Sequence, residues 1–235
     1  MAHYLASEKR EDTLLFSLDT IHHIKDVMRA KIGFEFEAVY ENKVYAVRVA
    51  SLDPFKVEII NEIVEDRELS GKLTLAFSLL KGGHSELILQ KGTELGVYEF
   101  APFISSRSIV RLDKEKDKKA KLDRFKDILE NSTEQCRRGK TPLITDILDI
   151  KDLAKLPNKT KLIAYEAVAI EGKPLLDEIT DDTLLVIGPE GGFSPKEAEY
   201  LISNGFTPVS LGRRILRAET AAIASSAIYA SKFEQ

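Results

Sequence analysis

The residues of this chain best suited to chemistry lie in two glycine turns, Gly188-Pro189-Glu190-Gly191-Gly192 and Gly212-Arg213-Arg214-Ile215-Leu216-Arg217. Glycine lacks a Cβ, so such turns adopt positive φ and let a ligand approach peptide N–H and C=O groups. Three arginines at 213, 214 and 217 add planar cationic forks that suit phosphate or the edge of a planar base. Neither turn carries the Gly-Lys-Ser/Thr ending of a P-loop or the G-x-G-x-x-G spacing of a dinucleotide site. On the residues alone the pair reads as a binding site made by main chain, with a plain tight turn as the alternative.

Predicted strands deliver both turns. Thr183 to Ile187 leads into Gly188, and Pro208 to Leu211 leads into Gly212. Between them, Ser194-Pro195-Lys196-Glu197 has the N-cap serine, first-position proline and third-position glutamate of a helix start, and Gly205 ends that helix. After the second turn, Ala218 to Lys232 predicts a helix rich in alanine and serine, either buried in one subunit or packed across a dimer. Upstream, Lys72 to Leu80, Val97 to Ile104, Leu143 to Ile147 and Lys161 to Tyr165 read as further strands. Ser85 to Leu95 and Asp117 to Arg138 read as helices, the charged stretch from Asp113 to Lys121 being the solvated opening of the second. This alternation predicts an α/β fold with a parallel sheet flanked by helices.

Before residue 70 the pattern is different. Thr13 to Ser17, Phe34 to Tyr40, Lys43 to Ser51 and Phe55 to Val64 read as short strands, the middle pair joined at Glu41-Asn42, with one helix from Asp19 to Met28 and a turn at Asp53-Pro54. The chain therefore divides into a small β-barrel domain over 1–70 and an α/β domain over 71–235.

Composition narrows the chemistry. One cysteine excludes an internal disulfide, and four scattered histidines give no ligand spacing, so a reducing compartment and a metal-free protein are expected. Cys136 shares a helical face with Leu122, Phe125 and Leu129 and is expected in the core. The absence of a long apolar run predicts a soluble, cytoplasmic protein with no membrane contact. Residues 1–70 carry 9 Lys and Arg against 14 Asp and Glu, whereas residues 71–151 carry 16 against 12. That balance argues against broad coating of a phosphate backbone but leaves room for a local RNA site.

Four segments together resemble the RsmE-type methyltransferases, SPOUT-superfamily enzymes that act on small-subunit ribosomal RNA. They are the two turns with their continuation through Ala218-Glu219-Thr220-Ala221, Gln90-Lys91-Gly92-Thr93-Glu94-Leu95-Gly96-Val97, and Glu134-Gln135-Cys136-Arg137-Arg138. His22 to Arg29 is similar to a helix of that family's PUA-like RNA-binding domain. The resemblance implies an N-terminal PUA-like domain, a C-terminal SPOUT domain with a deep trefoil knot, and a homodimer. It also implies S-adenosylmethionine as cofactor and methylation of uracil N3 in 16S ribosomal RNA near the decoding region, on the small subunit. Cofactor contacts would come from Glu166, from Gly188, Pro189, Glu190, Gly191 and Gly192, and from Ser210, Leu211, Gly212, Ile215 and Leu216. A non-enzymatic ribosome-assembly factor, a methyltransferase for another RNA nucleotide and a nucleotide-binding metabolic enzyme are the competing readings.

Several side chains keep two readings. Arg217 is the candidate for stabilising a uracil anion, with Arg213 and Arg214 on RNA phosphate. Glu219 is either a base or a carboxylate favoured in the first turn of a helix. Lys91 either lies along core residues or reaches the substrate, and Arg107 and Arg111 either contact RNA or alternate out of an edge strand. Lys9, Arg10, Lys25, Arg29 and Lys31 form the one basic group of the acidic N-terminal domain, from which Arg10 and Arg29 are the expected RNA contacts.

Overall fold

The structure, a computed structural model, describes residues 2–64, 67–112, 114–168 and 172–234. The chain forms two compact units: Met1–Glu68 with Thr133–Thr141, and Leu69–Ser132 with Pro142–Gln235.

The first unit is built on β1 (His3–Leu5), β4 (Glu35–Tyr40), β5 (Lys43–Leu52) and β6 (Phe55–Ile63), hydrogen-bonded in the order β1-β4-β5-β6. A separate hairpin, β2 (Glu8–Arg10) and β3 (Thr13–Leu15), leans on β6: Ile59 N donates to Asp12 O at 3.1 Å and Thr13 Oγ1 to Val57 O at 2.6 Å. Glu41 and Asn42 both take positive φ, as a tight two-residue hairpin turn requires. Alternate residues Phe36 and Ala38 of β4 and Val47 and Val49 of β5 point into a common core with Leu14 and Ile24. Ser17 begins a helix instead of ending a strand. Its side chain accepts from Thr20 N and caps α1 (Leu18–His22), which runs on into a π-turn at His23–Val27.

The segment Glu134 to Arg138 belongs to this unit. The Glu134 carboxylate accepts from Leu5 N at 2.7 Å, and the carbonyls of Arg137 and Arg138 accept from Arg67 Nη1 at 3.0 Å and His3 Nε2 at 3.1 Å. His3 and Arg67 also meet at Glu37, 3.0 and 3.2 Å away. Burial pushes the Glu37 carboxyl up, but the hydrogen bonds from His3 and Arg67 outweigh it and hold the group below the usual range. Arg138 is buried because Glu68 pairs with it. Cys136, expected in the core, is only partly buried, its Sγ 3.7 Å from Thr133 O.

The second unit contains β7 (Lys72–Ser78), β8 (Glu99–Ile104), β9 (Leu143–Ile144), β10 (Leu148–Asp149), β11 (Thr160–Ala164), β12 (Lys173–Pro174), β13 (Asp182–Ile187) and β14 (Thr207–Ser210). Their order is β10-β8-β7-β13-β11-β14-β12, with β9 beside β8, and these pairings are parallel. The helices are α2 (His84–Glu94), α3 (Glu115–Cys136), α4 (Ile150–Lys155), α5 (Leu175–Glu178), α6 (Pro195–Ser203) and α7 (Ala218–Phe233). The pleat sorts side chains into two cores. Leu73, Leu75, Phe77, Leu185 and Ile187 pack with Ile88 of α2, Phe125 of α3 and Ala222 of α7. Ala76, Leu184 and Val186 pack on the other face with Leu153 of α4 and Ala198 and Leu201 of α6. Burial on both faces explains why these strands are nearly continuous apolar runs.

Of the predicted strand Leu143 to Ile147 only Leu143–Ile144, β9, is strand; Thr145 to Ile147 lead on to a second short strand, β10, beyond the predicted range. No helix among the described residues is long and apolar enough to cross a membrane.

Candidate active site at the carboxyl ends of four strands

β7, β13, β11 and β14 are consecutive in the sheet. The segments that follow all four meet around one cavity of 740 Å³, within the range of small-molecule sites and at the strand ends where open α/β sheets place ligands.

The loop after β13 is held from several directions. At Gly188 a Cβ would press on the Phe193 ring, and that ring stacks on Phe103 at 6.4 Å between centroids. Gly192 has φ +65°, and a Cβ there would collide with the Glu166 carboxylate. Gly192 N donates to Pro189 O at 2.9 Å, closing the turn. Ser194 caps α6 in a capping box with Glu197, whose Oε1 also accepts from Ser106 N at 2.7 Å. Burial raises the Glu197 carboxyl, yet the hydrogen bonds from Ser106 and Ser194 leave it lowered overall.

Arg107 completes this support. It lies in the loop after β8, not on an edge strand, and its Nη1 donates to Gly191 O and Phe193 O, each at 3.2 Å. Arg111 likewise bonds main chain, donating to Ser105 O at 3.3 Å and Ser106 O at 2.6 Å. Two arginines that sequence left open as RNA contacts therefore hold loop backbone. Lys91 makes a surface pair with Glu94 at 2.7 Å.

After β14, Gly212 takes φ +106° and its N donates to Ser210 Oγ at 3.1 Å. Of the expected cofactor contacts, Glu166, Gly188, Pro189, Glu190, Gly191, Gly192, Leu211, Gly212, Ile215 and Leu216 line the cavity. Ser210 does not line it; it shapes the turn. Arg214 and Arg217 line the cavity and Arg213 does not. None of the three arginines has a side-chain hydrogen bond or ion pair among the described residues. Arg10 is engaged on the surface by Glu8 at 2.7 Å, and Arg29 is exposed with φ +52°.

Sequence reasoning missed Lys81 and His84 on the cavity wall. Their signal was a third glycine turn, Gly82-Gly83, directly after β7, where φ is +65° and +84°. The same reasoning left Glu219 undecided. That residue is 8 % exposed, lines the cavity and lies 3.0 Å from His84 Nδ1.

Residues 67–230 match the family model of the RNA methyltransferase domain. Over 225 residues the chain is 35% identical to the ribosomal RNA small subunit methyltransferase E of Mesomycoplasma hyopneumoniae, covering 95% of this chain and 96% of that one. The corresponding Bacillus subtilis protein is 34% identical over 236 residues, covering 92% and 90%. A crystal structure of ribosomal RNA small subunit methyltransferase E from Neisseria gonorrhoeae, bound to S-adenosyl methionine, superposes with a TM-score of 0.87 at 29% identity, covering 99% and 98%. With the fold, the strand-end cavity and these relatives in agreement, the chain belongs to the ribosomal RNA small subunit methyltransferase E family.

Proposed function

We propose that this chain methylates N3 of a uridine in 16S ribosomal RNA near the decoding region, using S-adenosylmethionine, in the cytoplasm and on the assembled small subunit. The observation that carries the reading is the cavity at the ends of β7, β13, β11 and β14, with ten of the eleven expected cofactor contacts on its wall. Its lining suits that cofactor: Ile187, Phe193, Val209 and Leu216 offer an apolar wall for a purine ring, and Gly188, Gly191 and Gly192 offer main chain that no Cβ shields. Glu166 adds a carboxylate for a hydroxyl or a cationic centre. When bound, S-adenosylmethionine supplies an electrophilic methyl group.

The remaining work falls to the chain. Arg217 carries the electrostatic role, since loss of the N3 proton places negative charge on the flanking uracil oxygens and a guanidinium without an internal partner is free to meet it. Arg213 and Arg214 contact RNA phosphate, and Arg10 and Arg29 extend the RNA surface of a PUA-like unit. Arg10 would exchange its Glu8 partner for phosphate on binding. Two further readings belong to this proposal. β11 lies between β13 and β14, which supports a trefoil knot through their loops. Thr220, Ala227 and Ser231 leave a small-residue face of α7 exposed, which supports a two-fold dimer.

The test is incubation with methyl-labelled S-adenosylmethionine and either assembled small subunits or naked 16S RNA, followed by nucleoside analysis. The expected product is 3-methyluridine on subunits. Label in another nucleoside moves the reading to another RNA position, and binding of subunits without any transfer favours an assembly factor.

A further inference from the structure

Glu219 is a buried carboxylate on the wall of the same cavity. It sits in the first turn of α7, and its side chain is 11% exposed. Its Oε1 lies 3.0 Å from Nδ1 of His84, the first residue of α2, in an ion-pair contact. The His84 side chain is 37% exposed, and both residues line the cavity. Gly82 lies against the other edge of the ring, where an added Cβ would come within 3.5 Å of Cδ2 and 3.7 Å of Nε2. One nitrogen thus faces a carboxylate, while Nε2 has no hydrogen bond among the described residues. A buried carboxylate in ion-pair contact stabilises the imidazolium that forms when histidine accepts a proton.

We propose that His84 is the acceptor of the uracil N3 proton and that Glu219 is its positioning residue. The inference rests on the methyltransferase reading given above. The uracil N3–H bond breaks with its proton passing to the Nε2 lone pair, and the N3 electron pair forms the bond to the methyl carbon as the sulfur–methyl bond breaks. The products are neutral methyluracil, neutral S-adenosylhomocysteine and an imidazolium held by the Glu219 carboxylate. The exposed part of the ring then returns the proton to solvent. The other charged groups on this cavity are Lys81 after β7, Glu166 after β11, Glu190 after β13, and Arg214 and Arg217 after β14. Glu86, on the same helix as His84, faces Lys121 at 2.9 Å and Arg124 at 3.5 Å. Glu219 is the carboxylate in ion-pair contact with the ring.

The experiment uses the full chain with small subunits and saturating labelled S-adenosylmethionine, in single turnovers from pH 5.5 to 8.5. Alongside it, cofactor affinity is measured by calorimetry. His84→Gln, which keeps a polar side chain without a titrating acceptor, is expected to slow transfer about 10²- to 10³-fold. It should also remove the acidic limb of the rate profile and leave cofactor affinity within about threefold. Glu219→Gln is expected to slow transfer less, again with cofactor affinity held. A His84→Gln enzyme that retains both rate and acidic limb overturns the assignment, as does a loss explained by weaker cofactor binding. Unchanged transfer in Glu219→Gln removes the positioning role. If the unaltered protein methylates no uridine, the methyltransferase reading falls and the assignment falls with it; an active wild type with an unaffected His84→Gln refutes the base alone.

Discussion

Removing Arg107 asks whether the glycine loop is ready before any ligand arrives. Its guanidinium makes two hydrogen bonds, to Gly191 O and Phe193 O, each 3.2 Å long. A charged donor contributes up to about 1.5–3 kcal/mol per bond when buried, but Arg107 is exposed and solvent competes for it. About 1 kcal/mol each is the appropriate scale, so Arg107→Ala should cost the ordered loop about 1–2 kcal/mol. That cost is passed to any ligand that needs the loop ordered. With about 1.4 kcal/mol per factor of ten, the Kd for S-adenosylmethionine should rise roughly 5- to 30-fold. Arg107→Lys, a single ammonium where a fork bridged two carbonyls, should recover about half of the loss in free energy. Calorimetry with the cofactor gives the first number, and small-subunit binding without cofactor gives the control. An unchanged cofactor Kd with weakened subunit binding would refute the clamp and return Arg107 to the RNA surface.

Three further outcomes follow from the same geometry. Gly192→Ala places a Cβ against Glu166 at a φ of +65°, so it should cost about 1–2 kcal/mol of stability in urea unfolding and weaken cofactor binding as Glu166 is displaced. Arg217→Ala should reduce turnover on small subunits by about 10²-fold with little change in cofactor affinity, measured as single-turnover rate against calorimetric Kd; unchanged turnover would sink its electrostatic role. Glu197→Gln should destabilise the protein by about 1 kcal/mol at neutral pH through the capping box. Because the Glu197 carboxyl is lowered in the folded state, its contribution is complete above the ordinary glutamate range near ~4.3 and is lost as pH falls through the lower folded value. Wild type and variant should therefore converge in acid denaturation series; a gap that persists at the lowest pH would contradict the sign.

Much of the scaffold could be read from the chain because its signals are local. The apolar runs of β7 and β13, the capping box at Ser194 and Glu197, and the two-residue turn at Glu41-Asn42 each need only neighbours in sequence. β1 and β2 escaped because three residues are too short to show a period, and Glu8-Lys9-Arg10 has no apolar member. Side-chain duties were harder to read. Arg138 is buried beside Glu68, seventy positions earlier, a pairing that no local signal specifies. Arg107 turned out to serve a loop more than eighty positions away, and nothing in its own neighbourhood specifies a partner. Glycine turns announce a main-chain pocket from sequence, whereas the pairing of His84 with Glu219 depends on α2 and α7 starting close together in space.

The discontinuity of the N-terminal unit bears on how the protein is made. His3, Leu5 and Arg67 hydrogen-bond to groups between Glu134 and Arg138, so the opening strand waits for partners that leave the ribosome well over a hundred residues later. A nascent chain ending at residue 68 would hold its apolar sheet core together while these polar groups stayed with water. Closure of the first unit is therefore coupled in time to synthesis of β7, α2, β8 and α3, and the N-terminal unit, though first in sequence, is complete only once those elements of the second have been made.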